Sequence, residues 1–387
     1  MKQLSFILIV VMCFKCSPLK QEYSELKTKY SLKKLELNVK NIDFSEEKYI
    51  SNISNNFSAY TKNDSSYILA QNSANGFIEI YNLENQHRIC YLDHLDSTVI
   101  KPSLGPVSSI LFHNFDSIFI AQDEALLLID SSSFIKSISI NESQSSRDEH
   151  YFYRNLDHFP IKYDKINDGI LIETYSTRYN PHNPKYYKQP IESIINLGDG
   201  KATNYNIGFP GLYYNNYFGF ANIKSRATAN NFSYYSFFAD PNIYKYNRNN
   251  SKLEIFGGKS IHHTTVNPEL SKKYKYNNTE KIRHLQQVNG YSEILLDPYR
   301  DLVYRFFRPA IPLKNKDGTY NVYGDKESYI MVFDKNFSLI DEIKLDKYYY
   351  NIHKSFVTPN GLYIKKYLND TESHQYMQYD IFQFNIK

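Results

Sequence analysis

The sequence predicts an all-β chain folded as a β-propeller, with six blades favoured and seven as the alternative. Three observations carry this expectation: a hairpin pattern that recurs five times, a second pair of strand-like runs ahead of most of those hairpins, and an alternating stretch near the N-terminus that can pair with the end of the chain.

The hairpins are "FIEIYNLENQHRICYL" from Phe77, "ALLLIDSSSFIKSISI" from Ala125, "IESIINLGDGKATNYNI" from Ile191, "IYKYNRNNSKLEIF" from Ile243 and "YIMVFDKNFSLIDEIKL" from Tyr329. In each, an apolar run meets an Asn, Asp, Gly or Ser turn and continues as an alternating run, which is the period and punctuation of a β-hairpin. Pairs such as "SILFH" then "SIFIAQD", or "YSEILLD" then "LVYRFF", lie upstream. The unit is therefore about four strands, repeated at spacings of roughly 50 to 85 residues, as in propeller blades rather than an evenly spaced sandwich.

The five hairpins and a terminal run, "GLYIKKY" then "YDIFQFNIK", make six blades, and "KKLELNVKN", Lys33 to Asn41, is placed to close the ring by pairing with the last strand. Two stretches resist parsing and keep a seventh blade open: "NFSAYTKNDSSYILAQ" and the region from Ala221 to Phe238. Near residues 267–290 the β pattern stops. Thr279-Glu280, "KIRHLQQV" and the stop at Gly290 predict a short helix in an insertion that packs on the propeller.

The N-terminus, "MKQLSFILIVVMCFKCSPLK", has the charge order and apolar length of a lipoprotein-type signal peptide, residues 1–15, with Cys16 as the acylated residue and Cys13 as the alternative. A linker, residues 16–32, then leads to a propeller domain at 33–387. This places the chain in the cell envelope as an outer-membrane lipoprotein, held to the membrane by its N-terminal lipid. The periplasmic face is favoured over the surface, because Ser17 to Leu26 holds no dense acidic run. Cleavage before Cys16 removes Lys2 and Lys15, so the formal charge falls from +4 to +2, which gives no electrostatic case for nucleic acid. Cys90 is then the remaining cysteine besides the acylated one, so no disulfide is available and stability rests on burial.

The stretch "SEILLDPYRDLVYRFFRPAIP", residues 292–312, sets two arginines in an apolar strand. Alternation puts Val303, Arg305 and Phe307 on one face and Tyr304, Phe306 and Arg308 on the other. The favoured expectation pairs each arginine with a carboxylate, Asp297 and Asp301 being candidates. The functional alternative brings Arg305 or Arg308 to the channel mouth to hold an anion. His262 and His263 are further ligand-contact candidates. Being adjacent on a strand they face opposite ways, so they make no metal site by themselves, and the sequence implies no metal or cofactor. It carries no Gly-rich phosphate loop and no nucleophile elbow.

The leader, the repeat, the Lys- and Tyr-rich insertion, "YSEILLDPYRDLVYRFFRPAIP" and "SFVTPNGLYIKKY" together resemble a family of uncharacterised Bacteroidetes lipoproteins defined by a domain of unknown function. The resemblance spans nearly the whole mature chain, and its most specific part is the Asp-Pro-Tyr-Arg-Asp turn followed by "VYRFF". It implies a propeller-like fold and an envelope location, and it assigns no activity. The functional expectation is a monomeric propeller that binds a protein, a peptide or a glycan. The alternative is a glycan hydrolase or lyase with His262 or His263 beside Arg305 and a tyrosine at the channel mouth.

Overall fold

The hairpin repeat becomes a ring of six sheets. A computed structural model describes residues 23–43, 53–72, 77–92, 107–122, 125–131, 134–139, 151–153, 159–176, 178–367 and 378–387. The leader, Cys13 and Cys16 lie outside the described residues. The chain starts with two strands that serve other blades, β1 (Lys29–Tyr30) and β2 (Leu35–Asp43). Blade 1 is β3 (Ile53–Lys62), β4 (Ser65–Asn72), β5 (Ile78–Asn82) and β6 (His87–Leu92). Blade 2 is β7 (Ser109–Asn114), β8 (Ser117–Ala121), β9 (Ala125–Ile129) and β10 (Phe134–Ser139). In blade 3, β11 (Tyr151–Tyr153) and β12 (Lys162–Asp164) both pair with β13 (Gly169–Ser176), followed by β14 (Glu192–Asn196) and β15 (Ala202–Asn204). Blade 4 is β16 (Lys224–Ala229), β17 (Phe232–Phe237), β18 (Asp240–Asn247) and β19 (Leu253–Phe256). Blade 5 is β20 (Gly290–Asp297), β21 (Leu302–Arg308), β22 (Ser328–Asp334) and β23 (Ser338–Leu345). Blade 6 is β24 (Tyr350–Thr358), β25 (Gly361–Lys366) and β26 (Gln378–Ile386).

Closure follows the expected route. β2 runs antiparallel to β26 over its whole length, from Leu35 opposite Ile386 to Asp43 opposite Gln378, and so supplies the outer strand of blade 6. The stretches that resisted parsing are the inner hairpins of blades 1 and 4, so no seventh blade arises from them. β3 and β4 turn through Asn63 and Asp64, whose φ values of 49° and 63° are those of a two-residue hairpin turn.

Successive residues of a strand point to opposite faces, so each blade feeds two interfaces. Six apolar clusters result, one at each contact between neighbouring blades. Leu69 packs with Ile110 and Leu127 of blade 2, whereas its neighbour Ile68 packs with Tyr363 and Tyr379 of blade 6. The cluster between blades 3 and 4 is aromatic, and it takes in Tyr187, Phe209, Tyr213 and Phe218 from the long connections that lie against those blades.

The insertion helix forms as α2, Asn278–Gln286. It begins one residue earlier than the Thr279-Glu280 signal, because Asn277 caps it: the Asn277 side-chain oxygen accepts from the Glu280 backbone N–H at 3.0 Å. At its other end the Lys326 amine donates to the carbonyls of Leu285 and Val288, at 3.3 and 2.5 Å. The amine thus satisfies carbonyls that the end of the helix leaves open, while burial holds it well below the usual lysine range.

Within the segment expected as a linker, the residues from Tyr23 on are laid along blades 4 and 5. Leu26 N–H donates to Asn242 Oδ1 at 2.9 Å, and Asn242 Nδ2 donates back to the Ser24 carbonyl at 2.9 Å. Thr28 Oγ1 accepts from Lys259 N–H at 2.7 Å, and β1 adds a short parallel strand to β23. A Cβ on Gly257 would sit 2.2 Å from the Lys27 carbonyl oxygen, so only glycine lets this strap approach so closely.

Candidate functional site

The inner strands β3, β7, β12, β16, β20 and β24 surround the central channel, and a cavity of about 220 Å³ lies within it. Every blade contributes to its wall: Phe57 and Ser58 from blade 1, Ser109 from blade 2, Lys162 from blade 3, Arg226 and Thr228 from blade 4, Glu293 from blade 5 and His353 from blade 6. Ligand sites of globular proteins are concave places of this kind, where a few polar groups converge between structural units.

Two of these polar side chains are aimed by irregular backbone. The pairing of β20 with β21 slips between Tyr291 and Ile294, and that of β24 with β25 slips between Asn351 and Ser355. Glu293 and His353 fall inside those bulges, which re-aim side chains next to functional sites. Their side chains meet across the contact of blades 5 and 6, with Nδ1 of His353 2.5 Å from Oε1 of Glu293.

Arg226 is committed to the neighbouring blade. Its guanidinium donates to Glu192 and to the Pro160 carbonyl, and it stacks over Phe159 at 4.5 Å. Glu192 accepts also from Ser233 at 3.1 Å and from the Tyr235 hydroxyl. Beside it Lys224 is paired with Glu173, and Arg248 with Asp164 at 3.1 Å. These are buried ion pairs that fasten blade 3 to blade 4, the partnering a buried charge needs.

Lys162 differs. Its amine makes no hydrogen bond or ion pair among the described residues, and part of its surface faces the cavity. Burial, with the Arg226 charge nearby, pushes it down from 10.5 to about 8.

The four residues singled out from sequence lie elsewhere. None of Arg305, Arg308, His262 and His263 is a wall of the channel cavity. Arg305 is fully buried between blades 4 and 5. It donates to Ser236 Oγ at 2.8 Å and to the carbonyls of Pro241, Gly258 and Asp240 at 2.5, 3.2 and 2.8 Å. Neither expected carboxylate is its partner: Asp297 pairs with Arg300 and accepts from the Tyr304 hydroxyl, and Asp301 pairs with Lys335. Both sit at the β20–β21 turn, whereas the Arg305 side chain crosses into blade 4. Arg308, at the strand end, donates to Ser328 Oγ at 2.9 Å and lies over Tyr323. His262 stacks on Tyr329 with centroids 4.0 Å apart. Nδ1 of His263 meets the Tyr291 hydroxyl at 2.7 Å, and burial pushes its imidazole down to about 4.

Glu293 and His353 carried a readable signal, a charged or titratable residue within a run otherwise bound for a blade interior. Lys224 and Arg226 carried another, two cations two residues apart and therefore on one face of a strand.

The sequence matches the family described as domain of unknown function DUF4221 over residues 112–344, more than half of the chain. The chain belongs to the DUF4221 family. A crystal structure of a DUF4221 member from Bacteroides vulgatus superposes with a TM-score of 0.73 at 19% identity, covering 92% of this chain and 99% of that one. The likeness shows that the propeller is shared by two DUF4221 chains. Weaker likenesses reach a luciferin-regenerating enzyme, with a TM-score of 0.42 at 13% identity over 90% of this chain and 95% of that one, and the Swd1 β-propeller domain of Myceliophteria thermophila. The latter has a TM-score of 0.41 at 10% identity over 85% of this chain and 82% of that one, and neither bears on the DUF4221 site. No curated protein matches the sequence. Among the described residues no helix is long and apolar enough to cross a membrane, and no cluster of three His, Cys, Asp or Glu could hold a metal.

Proposed function

We propose that this chain is a lipid-anchored cell-envelope propeller that binds a small glycan- or peptide-derived ligand inside its central channel. One observation carries the reading: a single cavity takes its walls from all six blades and collects Lys162, Arg226, Glu293 and His353. Apolar packing alone would close a ring more cheaply, since charges taken out of water cost free energy wherever they are not fully matched. The leader and Cys16 support the envelope location.

The test is a thermal-shift screen of the mature chain against monosaccharides, sugar acids and dipeptides, repeated on Thr228→Phe, whose larger side chain narrows the cavity. A ligand held in the channel raises the melting temperature of the wild type and leaves Thr228→Phe unchanged. Compounds that stabilise both proteins equally would place binding outside the channel. Cys16→Ser, followed by membrane fractionation, checks the anchor separately.

A further inference from the structure

One cation of the channel lacks the direct ion pair that the lysines and arginines between blades 3 and 4 have. Arg226 is matched by Glu192, and Glu293 faces His353, which leaves the Lys162 amine as the cation without a protein partner among the described residues. The groups facing it are Arg226 from β16, Glu293 from β20 and His353 from β24; the cavity residues of β3 and β7 do not titrate. Arg226 is the charge that acts on it most directly, and it is of like sign. A ligand reaching Lys162 is therefore rewarded for bringing a negative charge.

We propose that the channel receives a small hydroxylated carboxylate, of the size and chemistry of a sugar acid, with its carboxylate on the Lys162 amine. This rests on the reading of the channel as the ligand site. A cavity of about 220 Å³ suits a ligand of roughly monosaccharide size. Ser58 and Thr228 line the wall beside Ser109, Ser225 and Ser355, whose hydroxyls also meet backbone groups, and Phe57 and Phe356, with ring centroids 6.1 Å apart, give it one apolar side. That combination fits a ring with hydroxyl edges and a C–H face. A single available amine suits a carboxylate. A phosphate dianion calls for a cluster of cationic or backbone donors, and the channel's guanidinium is already engaged.

Titration calorimetry of the mature protein with glucuronate, glucose and inorganic phosphate tests this. Glucuronate is expected to bind at least about tenfold more tightly than glucose or phosphate, a difference a single charge-assisted contact supplies. Lys162→Met, checked for folding by circular dichroism, is expected to erase that preference. Affinity should also weaken as pH rises past about 8, where the amine loses its proton. Equal binding of glucuronate and glucose, a preference for phosphate, or a preference that survives in Lys162→Met would overturn the ligand class. So would absence of glucuronate binding at millimolar concentration beside another compound whose binding Thr228→Phe abolishes, which would leave the channel reading standing. Glucuronate binding that Thr228→Phe does not alter would overturn the channel reading itself.

Discussion

The guanidinium of Arg305 lies over the ring of Tyr291, 4.1 Å from its centroid, and the Tyr291 hydroxyl in turn meets Nδ1 of His263. Arg305 thus sits on an aromatic face and among main-chain carbonyls, with no carboxylate paired to it among the described residues. Burial pushes its guanidinium down to about 10, which still leaves it charged at neutral pH. Carbonyl dipoles and a π face do the work that a salt bridge would otherwise do. The consequence is a cation that fastens blade 5 to the β17–β18 turn of blade 4.

Arg305→Ala is expected to lose about 3 kcal/mol or more of stability, because it leaves a void and strips the carbonyls of Asp240, Pro241 and Gly258 of their donor. Arg305→Lys should fare little better, since an ammonium cannot reproduce the planar fork that reaches acceptors on several sides. Urea unfolding monitored by tyrosine fluorescence measures both. A variant as stable as the wild type would show that those carbonyls find water instead.

Asp240 gives a pH signature at the same interface. Burial raises its carboxyl from 3.8 to about 6, against the opposing hydrogen bonds from Tyr244 and Asn242. Between about pH 4 and 6 the native state binds a proton that the unfolded state has released, so this group makes stability fall as pH rises through that window. The loss is at most about 3 kcal/mol. Asp240→Asn is expected to flatten the slope between pH 4 and 6, which urea midpoints across that range would show.

The six-fold repeat was legible in the sequence because outer hairpins such as Ile243–Phe256 combine strong alternation with Asn and Asp turns. The inner hairpin of blade 4 was not, because "KSRATA" puts Lys224 and Arg226 where a core strand should be apolar, and their partners Glu173 and Glu192 lie on another blade. Pairing across blades has no signature in spacing. Arg305 and Arg308 were visible as oddities of one strand, and alternation placed them on opposite faces correctly. What they touch could not be read, since the nearest acids in sequence, Asp297 and Asp301, are used within their own turn and by Lys335. The channel site was missed for a similar reason: Lys162 stands in an ordinary-looking "PIKYD", and Glu293 and His353 are turned towards the channel by bulges that leave no clear sequence mark.

Ring closure has a direct test. Deleting residues 31–42 removes most of β2 and leaves the long strand β26 as an open edge. An unpaired edge of that length invites association with other chains, so the truncated protein is expected to aggregate and to melt well below the full chain. Light scattering during a thermal ramp measures both effects. Unchanged melting would mean that blade 6 holds without its fourth strand.

Gly257→Ala separates the strap from the closure. The added Cβ collides with the Lys27 carbonyl, while the six interblade clusters contain none of residues 23–31. Limited proteolysis is expected to cut the variant within residues 23–31 much faster than the wild type, with little change in melting temperature. If both change together, the strap is part of the cooperative unit rather than an addition to it.

Lys162 ties stability to the channel. Holding its amine at about 8 instead of 10.5 means that the charged form is disfavoured in the native state, a cost of at most about 3 kcal/mol at neutral pH. Between about pH 8 and 10.5 the unfolded chain binds the proton that the native amine has released, so wild-type stability should rise across that window relative to Lys162→Met. At pH 7 the methionine variant is expected to be the more stable of the two. Under the proposal, that cost is offset when an anionic ligand meets the amine. Urea midpoints of both proteins at pH 7 and pH 10 decide the matter: a Lys162→Met variant less stable than the wild type at pH 7 would show that the amine supports the fold.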